Sequence, residues 1–171
     1  MAHEVALFVG STMSLRPFVE VTPIARAYTL TPGADLAVLP FDEALETALQ
    51  RRLGTGDWPA GQALLLSSAV QAYAAECSAR APLAYVETHY DETGGQQSAV
   101  LWQDGRAMVG PATLDISGTG ASRAPVLWPI NVVLRALGVR ATGTEDEFTA
   151  FGLLRFRDHA AIAAGAWPFK V

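Results

Sequence analysis

Alternation of apolar and polar residues is clearest over residues 84–109. Three strand-like runs follow one another there: 84–90, 97–103 and 106–109. Gly94-Gly95 separates the first two runs, and Asp104-Gly105 separates the last two. An Asp-Gly pair between apolar runs is a strong hairpin signal, because both central residues of a type I′ turn need positive φ angles. The pattern therefore predicts a three-stranded antiparallel meander.

The same periodicities predict the remaining elements. The apolar run 4–10 predicts a first strand buried on both faces, and runs 25–30 and 36–39 predict a hairpin. Apolar residues at helical spacing predict three main helices, at 41–53, 68–80 and 129–137. Shorter patterns predict a helix that ends at Phe151, an edge strand at 153–157 and a last helical turn within 158–166.

Small polar residues indicate where the helices begin. Ser14 is the expected N-cap of a short helix within residues 11–20. Capping-box spacing is found at Ser68 with Gln71 and at Thr144 with Glu147. The segment 110–125 is rich in Gly, Ser and Thr, and we expect it to be a mobile or functional loop.

These elements predict a single α+β domain over residues 1–171. We expect an antiparallel sheet with a central β-meander at about 84–109, and helices 41–53, 68–80 and 129–137 packed on one face of it. A chain of 171 residues is long enough to bury a full core.

Composition and charge narrow the classes of function. The formal net charge is −5, which argues against a nucleic-acid binder, because such a protein needs a clustered basic face. A negative field is compatible with a basic protein partner. No apolar stretch has the length of a membrane span, and the start Met-Ala-His-Glu lacks the basic residues of a signal peptide, so we expect a cytoplasmic protein. The single cysteine, Cys77, excludes an internal disulfide and a multi-cysteine zinc site.

One strand carries the most reactive combination of side chains. If residues 84–90 are extended, Glu87, His89 and the following Asp91 share one face. Two carboxylates and an imidazole could bind a divalent metal or carry out acid/base chemistry. The same trio also arises whenever a strand turns a polar face to water, and we favour that interpretation. We therefore expect no catalytic residues, no bound metal and no cofactor.

Two other features are candidates for contact with a partner. Trp58 lies in a loop, where it either covers the core or is exposed for binding; the core interpretation is favoured, because aromatic side chains bury large areas. Asp91 and Glu92 make the turn after the 84–90 run acidic, and a basic partner would be steered toward it.

The second half of the chain resembles a family of proteins. The resemblance is carried by PLAYVETHY (82–90), GGQQ (94–97), AVLW (99–102), DGR (104–106), IN (130–131), LR (134–135), LGV (137–139), DEF (146–148) and GL (152–153). This pattern is similar to small bacterial immunity-type proteins of polymorphic toxin and secretion systems. The chain departs from the pattern at residues 91–93, where Asp-Glu-Thr replaces an expected Phe-Gly-Gly.

The resemblance implies a non-catalytic, cytoplasmic protein that binds a toxin and blocks its active site. Taken with the residues, it makes a binding protein the leading hypothesis, with Glu87, His89, Asp91, Glu92 and Trp58 as candidate contacts. The first alternative is a metal-dependent or acid/base enzyme that uses Glu87, His89 and Asp91. The second is a structural subunit that forms a homodimer through an edge strand.

Overall fold

The computed structural model describes residues 2–61, 64–116 and 125–171. Within them, seven strands are found: β1 His3–Gly10, β2 Ala27–Thr29, β3 Ala37–Pro40, β4 Leu83–Tyr90, β5 Gly95–Gln103, β6 Arg106–Asp115 and β7 Trp167–Phe169. The α-helices of this part of the chain are α1 Thr12–Val19, α2 Glu43–Leu53, α3 Ser68–Cys77, α4 Pro129–Ala136, α5 Glu147–Phe151 and α6 His159–Gly165. Short 3₁₀ turns are formed by Pro125–Leu127 and Leu153–Arg155.

The strands form one antiparallel sheet in the order β6-β5-β4-β1-β3-β2-β7. This confirms the predicted α+β fold and the meander, which is β4-β5-β6. Asp104 and Gly105 have φ angles of 53° and 78°, as the type I′ turn requires. The described helices include none with both the length and the apolar character needed to cross a membrane.

The third strand of the meander is longer than predicted. β6 continues to Asp115, so the first part of the predicted loop 110–125 is strand; residues 117–124 lie outside the described residues. Its pairing with β5 shifts register between Ala99 and Leu101, opposite Gly110, whose φ is 74°. A bulge of this kind interrupts the two-residue alternation, which is why the sequence pattern ended early.

Helices cover both faces of the sheet, so the prediction that they pack on one face is wrong. On one face, Phe8 and Tyr85 join a core with α1, α2 and α3. On the other face, Leu7 and Val86 join a core with α4, α5 and α6. Central strands that are apolar on both sides need a layer of helices on each side.

The ends of several elements also differ from the predictions. α1 begins after Ser11 instead of Ser14; the N-cap of α3 is Ser67, not Ser68; and α5 is capped by Asp146 instead of Thr144. Neighbouring residues of similar capping chemistry make such errors of a few positions easy. The predicted edge strand 153–157 is instead a 3₁₀ turn, and the strand β7, which pairs with β2, was missed.

Candidate functional site: a cleft on the sheet

Part of one sheet face is left uncovered by the helices. Three ladders of side chains cross β1, β4 and β5 on the face that α1, α2 and α3 cover. From the covered end to the open end they are Phe8–Tyr85–Val100, Ala6–Glu87–Ser98 and Glu4–His89–Gln96. The first two ladders are buried, whereas the third is exposed to solvent. The helices therefore stop covering this face of the sheet beyond Glu87, and a cleft begins there.

The cleft has a volume of about 690 Å³. Its walls are the first half of β1, the start of α2, the loop residue Leu65 and the start of α6. Five acidic residues line it: Glu4, Asp42, Glu43, Glu87 and Asp158. The other ionisable lining residues are His89 and His159, and no lysine or arginine is among them. The cleft therefore presents a concave, negatively charged surface.

Two of the acids are fixed by capping helices. The Asp42 carboxylate accepts a hydrogen bond from the Leu45 N–H at 2.9 Å, at the start of α2. The Asp158 carboxylate accepts one from the Ala161 N–H at 2.7 Å, at the start of α6. These bonds hold both carboxylates at the rim of the cleft. Because the two side chains are already fixed, they would lose little conformational entropy when a ligand binds.

Glu87 is the buried acid of the cleft. It is only 8% exposed, and its carboxylate accepts a hydrogen bond of 3.0 Å from the Leu65 N–H. Burial raises the pKa of Glu87, and the hydrogen bond from the Leu65 N–H together with the nearby Tyr85 and Ser98 hydroxyls opposes that shift. Within the described residues, no lysine or arginine forms an ion pair with this carboxylate. A buried carboxyl group in a cleft is a typical feature of a functional site.

Tyr85 lies next to Glu87 on the same face. Its side chain is fully buried, and its hydroxyl forms no hydrogen bond with any group in the described part of the chain. Burial, and then the negative charge of Glu87, raises the pKa of Tyr85 well above its usual value. The phenol therefore stays protonated behind the carboxylate.

The structure brings together only some of the candidate residues from the sequence. Glu87 and His89 both line the cleft, and His89 Nδ1 lies 3.8 Å from a Glu4 carboxylate oxygen. Asp91 does not line it: its carboxylate accepts hydrogen bonds from the Thr93 N–H at 2.7 Å and hydroxyl at 2.6 Å in the β4–β5 turn, which lowers the pKa of Asp91. The trio expected from the strand alternation is therefore not a single cluster.

The remaining candidates lie on the surface. Trp58 is 50% exposed, so the favoured interpretation as a core residue is wrong and its alternative as a contact residue stays open. Glu92 is exposed in the same turn as Asp91. The described residues contain no group of three or more His, Cys, Asp or Glu side chains placed to hold a metal ion.

Sequence reasoning missed five ionisable residues of the cleft: Glu4, Asp42, Glu43, Asp158 and His159. A signal for Asp42 and Asp158 was present, because each precedes a helical pattern as an N-cap does. Glu4 could be placed only by the register that pairs it with His89. His159 reaches the cleft only because the C-terminal part of the chain packs against β1, where its Nε2 lies 2.9 Å from the Ala6 carbonyl oxygen.

Replacing Glu87 with Gln is expected to raise the melting temperature at pH 7. The raised pKa of Glu87 means that the folded state holds this proton more tightly than the unfolded state, so stability is lost as the pH rises through the unfolded and then the folded pKa. The neutral amide avoids that loss. Thermal unfolding at pH 7 and pH 4 tests this prediction. The increase in melting temperature caused by Glu87→Gln should be larger at pH 7 than at pH 4, and equal increases at both pH values would contradict the prediction.

Comparisons of this chain with protein-family models, with curated proteins and with solved structures find no match.

Proposed function

We propose that this protein is a non-catalytic binding protein, of the immunity-like or regulatory kind, that blocks a cognate basic protein partner through the acidic cleft. The observation that carries the proposal is the cleft itself: five carboxylates surround a concave space and none pairs with a lysine or arginine in the described residues. A lysine or arginine side chain of a partner would supply the missing counter-charge.

An exposed apolar side chain at the cleft supports a macromolecular partner. Leu65 is 60% exposed and lines the cleft, and its N–H binds the Glu87 carboxylate. Protein interfaces combine apolar contact area with surrounding polar groups. Leu65 therefore offers apolar contact area next to the charged floor.

The acidic turn after β4 has a separate expected role. Asp91 and Glu92 are exposed outside the cleft, where long-range attraction can speed encounter without a fitted contact. The variant Asp91→Asn/Glu92→Gln is therefore expected to slow association at low salt more than at high salt. Cleft residues, which would contact the partner after docking, should act mainly on dissociation.

The test compares two variants with the same change in charge. In Glu4→Gln/Glu43→Gln/Glu87→Gln, three carboxylates of the cleft are neutralised. The matched control is Asp35→Asn/Glu76→Gln/Glu145→Gln, which neutralises three exposed acids that do not line the cleft.

The probe is the protein that wild type retains from extracts of its own cells, purified and titrated against each variant by surface plasmon resonance. The cleft variant should bind at least about tenfold more weakly, and the control less than about threefold. Equal weakening by both variants would show a general charge effect and contradict a fitted site. Unchanged binding by the cleft variant would place the contact surface elsewhere.

An acid/base enzyme is the second candidate, and the pKa of Glu87 is the observation that favours it. A carboxyl group whose pKa is raised by burial is better suited to act as a general acid. This hypothesis now depends on Glu87 with the cleft histidines, since Asp91 lies outside the cleft. Turnover of any substrate that Glu87→Gln abolishes while substrate binding persists would favour the enzyme over the binding protein.

A further inference from the structure

The acidic residues of the cleft differ in depth. Glu87 on its floor is 8% exposed, whereas the other four carboxylates are exposed at the rim: Glu4, Asp42, Glu43 and Asp158. An exposed carboxylate keeps most of its hydration and gains little from pairing with one cation. A buried carboxylate has lost that hydration, and without a counter-charge it gains more from a cation that reaches it. Glu87 therefore has the largest influence on which cation the cleft prefers.

The Glu87 carboxylate can accept further hydrogen bonds from a ligand in the cleft. Its Oε2 accepts the Leu65 N–H at 3.0 Å, which is the one hydrogen bond that the described residues donate to it. The two oxygens of a carboxylate together offer about four acceptor positions, enough for a two-pronged donor as well. One further N–H group can therefore bind to each oxygen. A ligand with two parallel N–H groups fits this arrangement best.

Tyr85 shows that the hydrogen bonding at the floor is incomplete. Its fully buried hydroxyl has no hydrogen-bond partner in the described part of the chain, and burial, then the nearby Glu87 carboxylate, raises the pKa of this hydroxyl. A buried hydroxyl without a partner costs free energy. A donor that fixes the orientation of the Glu87 carboxylate from the cleft side would let a carboxylate oxygen face this hydroxyl. Two buried polar groups thus favour a ligand at the same place.

Apolar side chains form part of the cleft wall. Val5, Phe41 and Leu65 line it, and the Phe41 ring lies edge-on to the Tyr85 ring, with 5.9 Å between the ring centroids. Phe41 is thus near the buried end of the cleft, where Tyr85 and Glu87 lie. The methylene stem of a long cationic side chain can pack against such carbon atoms while its charged end reaches a carboxylate. A small hydrated cation has no stem that could use this wall.

The two long cationic side chains of proteins differ in how well they suit a buried carboxylate. The guanidinium group of arginine is planar and presents parallel N–H groups that match both oxygens of one carboxylate. It is also more weakly hydrated than the ammonium group of lysine, so less hydration is lost when it enters an apolar cleft. At an exposed carboxylate these differences matter little, because both partners keep their water.

We propose that the cleft recognises an arginine side chain of its basic protein partner, and that the guanidinium group pairs with the Glu87 carboxylate on the floor. This inference rests on the proposed function and names the group that the cleft binds. The exposed acids at the rim attract lysine and arginine alike. One arginine of the partner should therefore be irreplaceable by lysine, whereas basic residues that face the rim should be interchangeable.

The test titrates wild-type protein with three capped tripeptides that differ only in the central side chain. In acetyl-Gly-X-Gly-amide, X is arginine, lysine or citrulline, which has nearly the shape of arginine but no charge. Binding is followed at constant ionic strength by the amide NMR signal of Leu65, whose N–H donates to Glu87. The dissociation constant of the lysine peptide should be at least about fivefold above that of the arginine peptide, and the citrulline peptide should not saturate.

Two single variants locate the preference. Glu87→Gln keeps an oxygen that can accept the Leu65 N–H but removes the charge, so the affinities of the arginine and lysine peptides should become equal within about twofold. Glu43→Gln is the matched control, since it removes one exposed carboxylate of the same cleft. It should weaken both peptides by a similar factor and leave the preference for arginine at about fivefold or more.

Equal affinities of the arginine and lysine peptides for wild-type protein would overturn the proposal, and so would a preference for arginine that survives in Glu87→Gln. A Leu65 signal that does not saturate with the arginine peptide up to about 50 mM would overturn it too. The main comparison uses wild-type protein and needs no partner. The assignment to arginine can therefore fail while the partner still binds the cleft.

Discussion

Gly95→Ala is expected to lower the free energy of unfolding by about 3–5 kcal/mol, since it combines main-chain overlap with backbone strain. A Cβ atom at this position would lie 2.1 Å from the His89 carbonyl oxygen and 2.7 Å from the Tyr90 Cα. The φ angle of Gly95 is 157°, at the margin of the range that other residues avoid. Main-chain atoms of a paired strand cannot move aside as a flexible side chain can.

Gly105→Ala is the matched control for this prediction. Gly105 also has a positive φ, 78°, but no atom lies within 4 Å of where its Cβ would be. Its substitution should cost only the conformational strain of about 1–2 kcal/mol. Urea unfolding of both variants measures the difference. Equal losses would mean that the β4–β5 hairpin is not packed as described, and the cleft beside it would also be in question.

Phe8→Ala is expected to lower the free energy of unfolding by about 3–5 kcal/mol, because it leaves a cavity in a closely packed aromatic cluster. Phe8 is fully buried on β1. Its ring centroid lies 4.4 Å from that of Phe18, 5.7 Å from that of Phe41 and 5.2 Å from that of Tyr85. The cluster forms the boundary between the covered part of the face and the cleft.

Trp58→Ala provides the comparison for an aromatic residue outside the core. Half of the Trp58 surface is exposed, so its removal should change the free energy of unfolding by less than about 1 kcal/mol. Urea midpoints at constant m-value give both numbers. A large loss in Trp58→Ala would restore the core interpretation of that residue, and a small loss in Phe8→Ala would contradict the packing of the aromatic cluster.

Glu87 connects the stability of the protein with its proposed function. Glu87→Gln should stabilise the fold at neutral pH and, as part of the cleft variant, weaken binding of a basic partner. Opposite effects of one substitution are expected where a buried charge is retained for function at the expense of stability. If Glu87→Gln stabilises the fold and leaves binding intact, the carboxylate has only a local role.

Local features of the chain could be predicted because they depend on residues that are close in sequence. The turn at Asp104-Gly105 needs only two residues that tolerate positive φ, and the helix Glu43–Leu53 needs only apolar side chains three and four positions apart. Both were predicted close to their observed positions. The bulge at Gly110 shows the limit, since one irregular residue ended the predicted run at Val109, six residues before the strand ends at Asp115.

Only part of the candidate site could be predicted from the sequence. Alternation correctly placed Glu87 and His89 on the same face of β4. It could not show that Glu87 is buried while His89 is exposed, because that depends on where the covering helices end. Asp91 was assigned to the same face, but the chain turns before it and its carboxylate binds Thr93 instead.

By itself, the sequence determined the α+β class, the meander and the main helices, through short-range periodicity and turn chemistry. Only the tertiary structure decided which distant residues meet. Glu4 on β1 lies opposite His89 on the adjacent strand β4, and His3 contacts Leu153, which is 150 positions away in the chain. It also decided that helices cover both faces and that part of one face is left open. Strand register and layer packing are set by contacts between remote segments, and no local pattern specifies them.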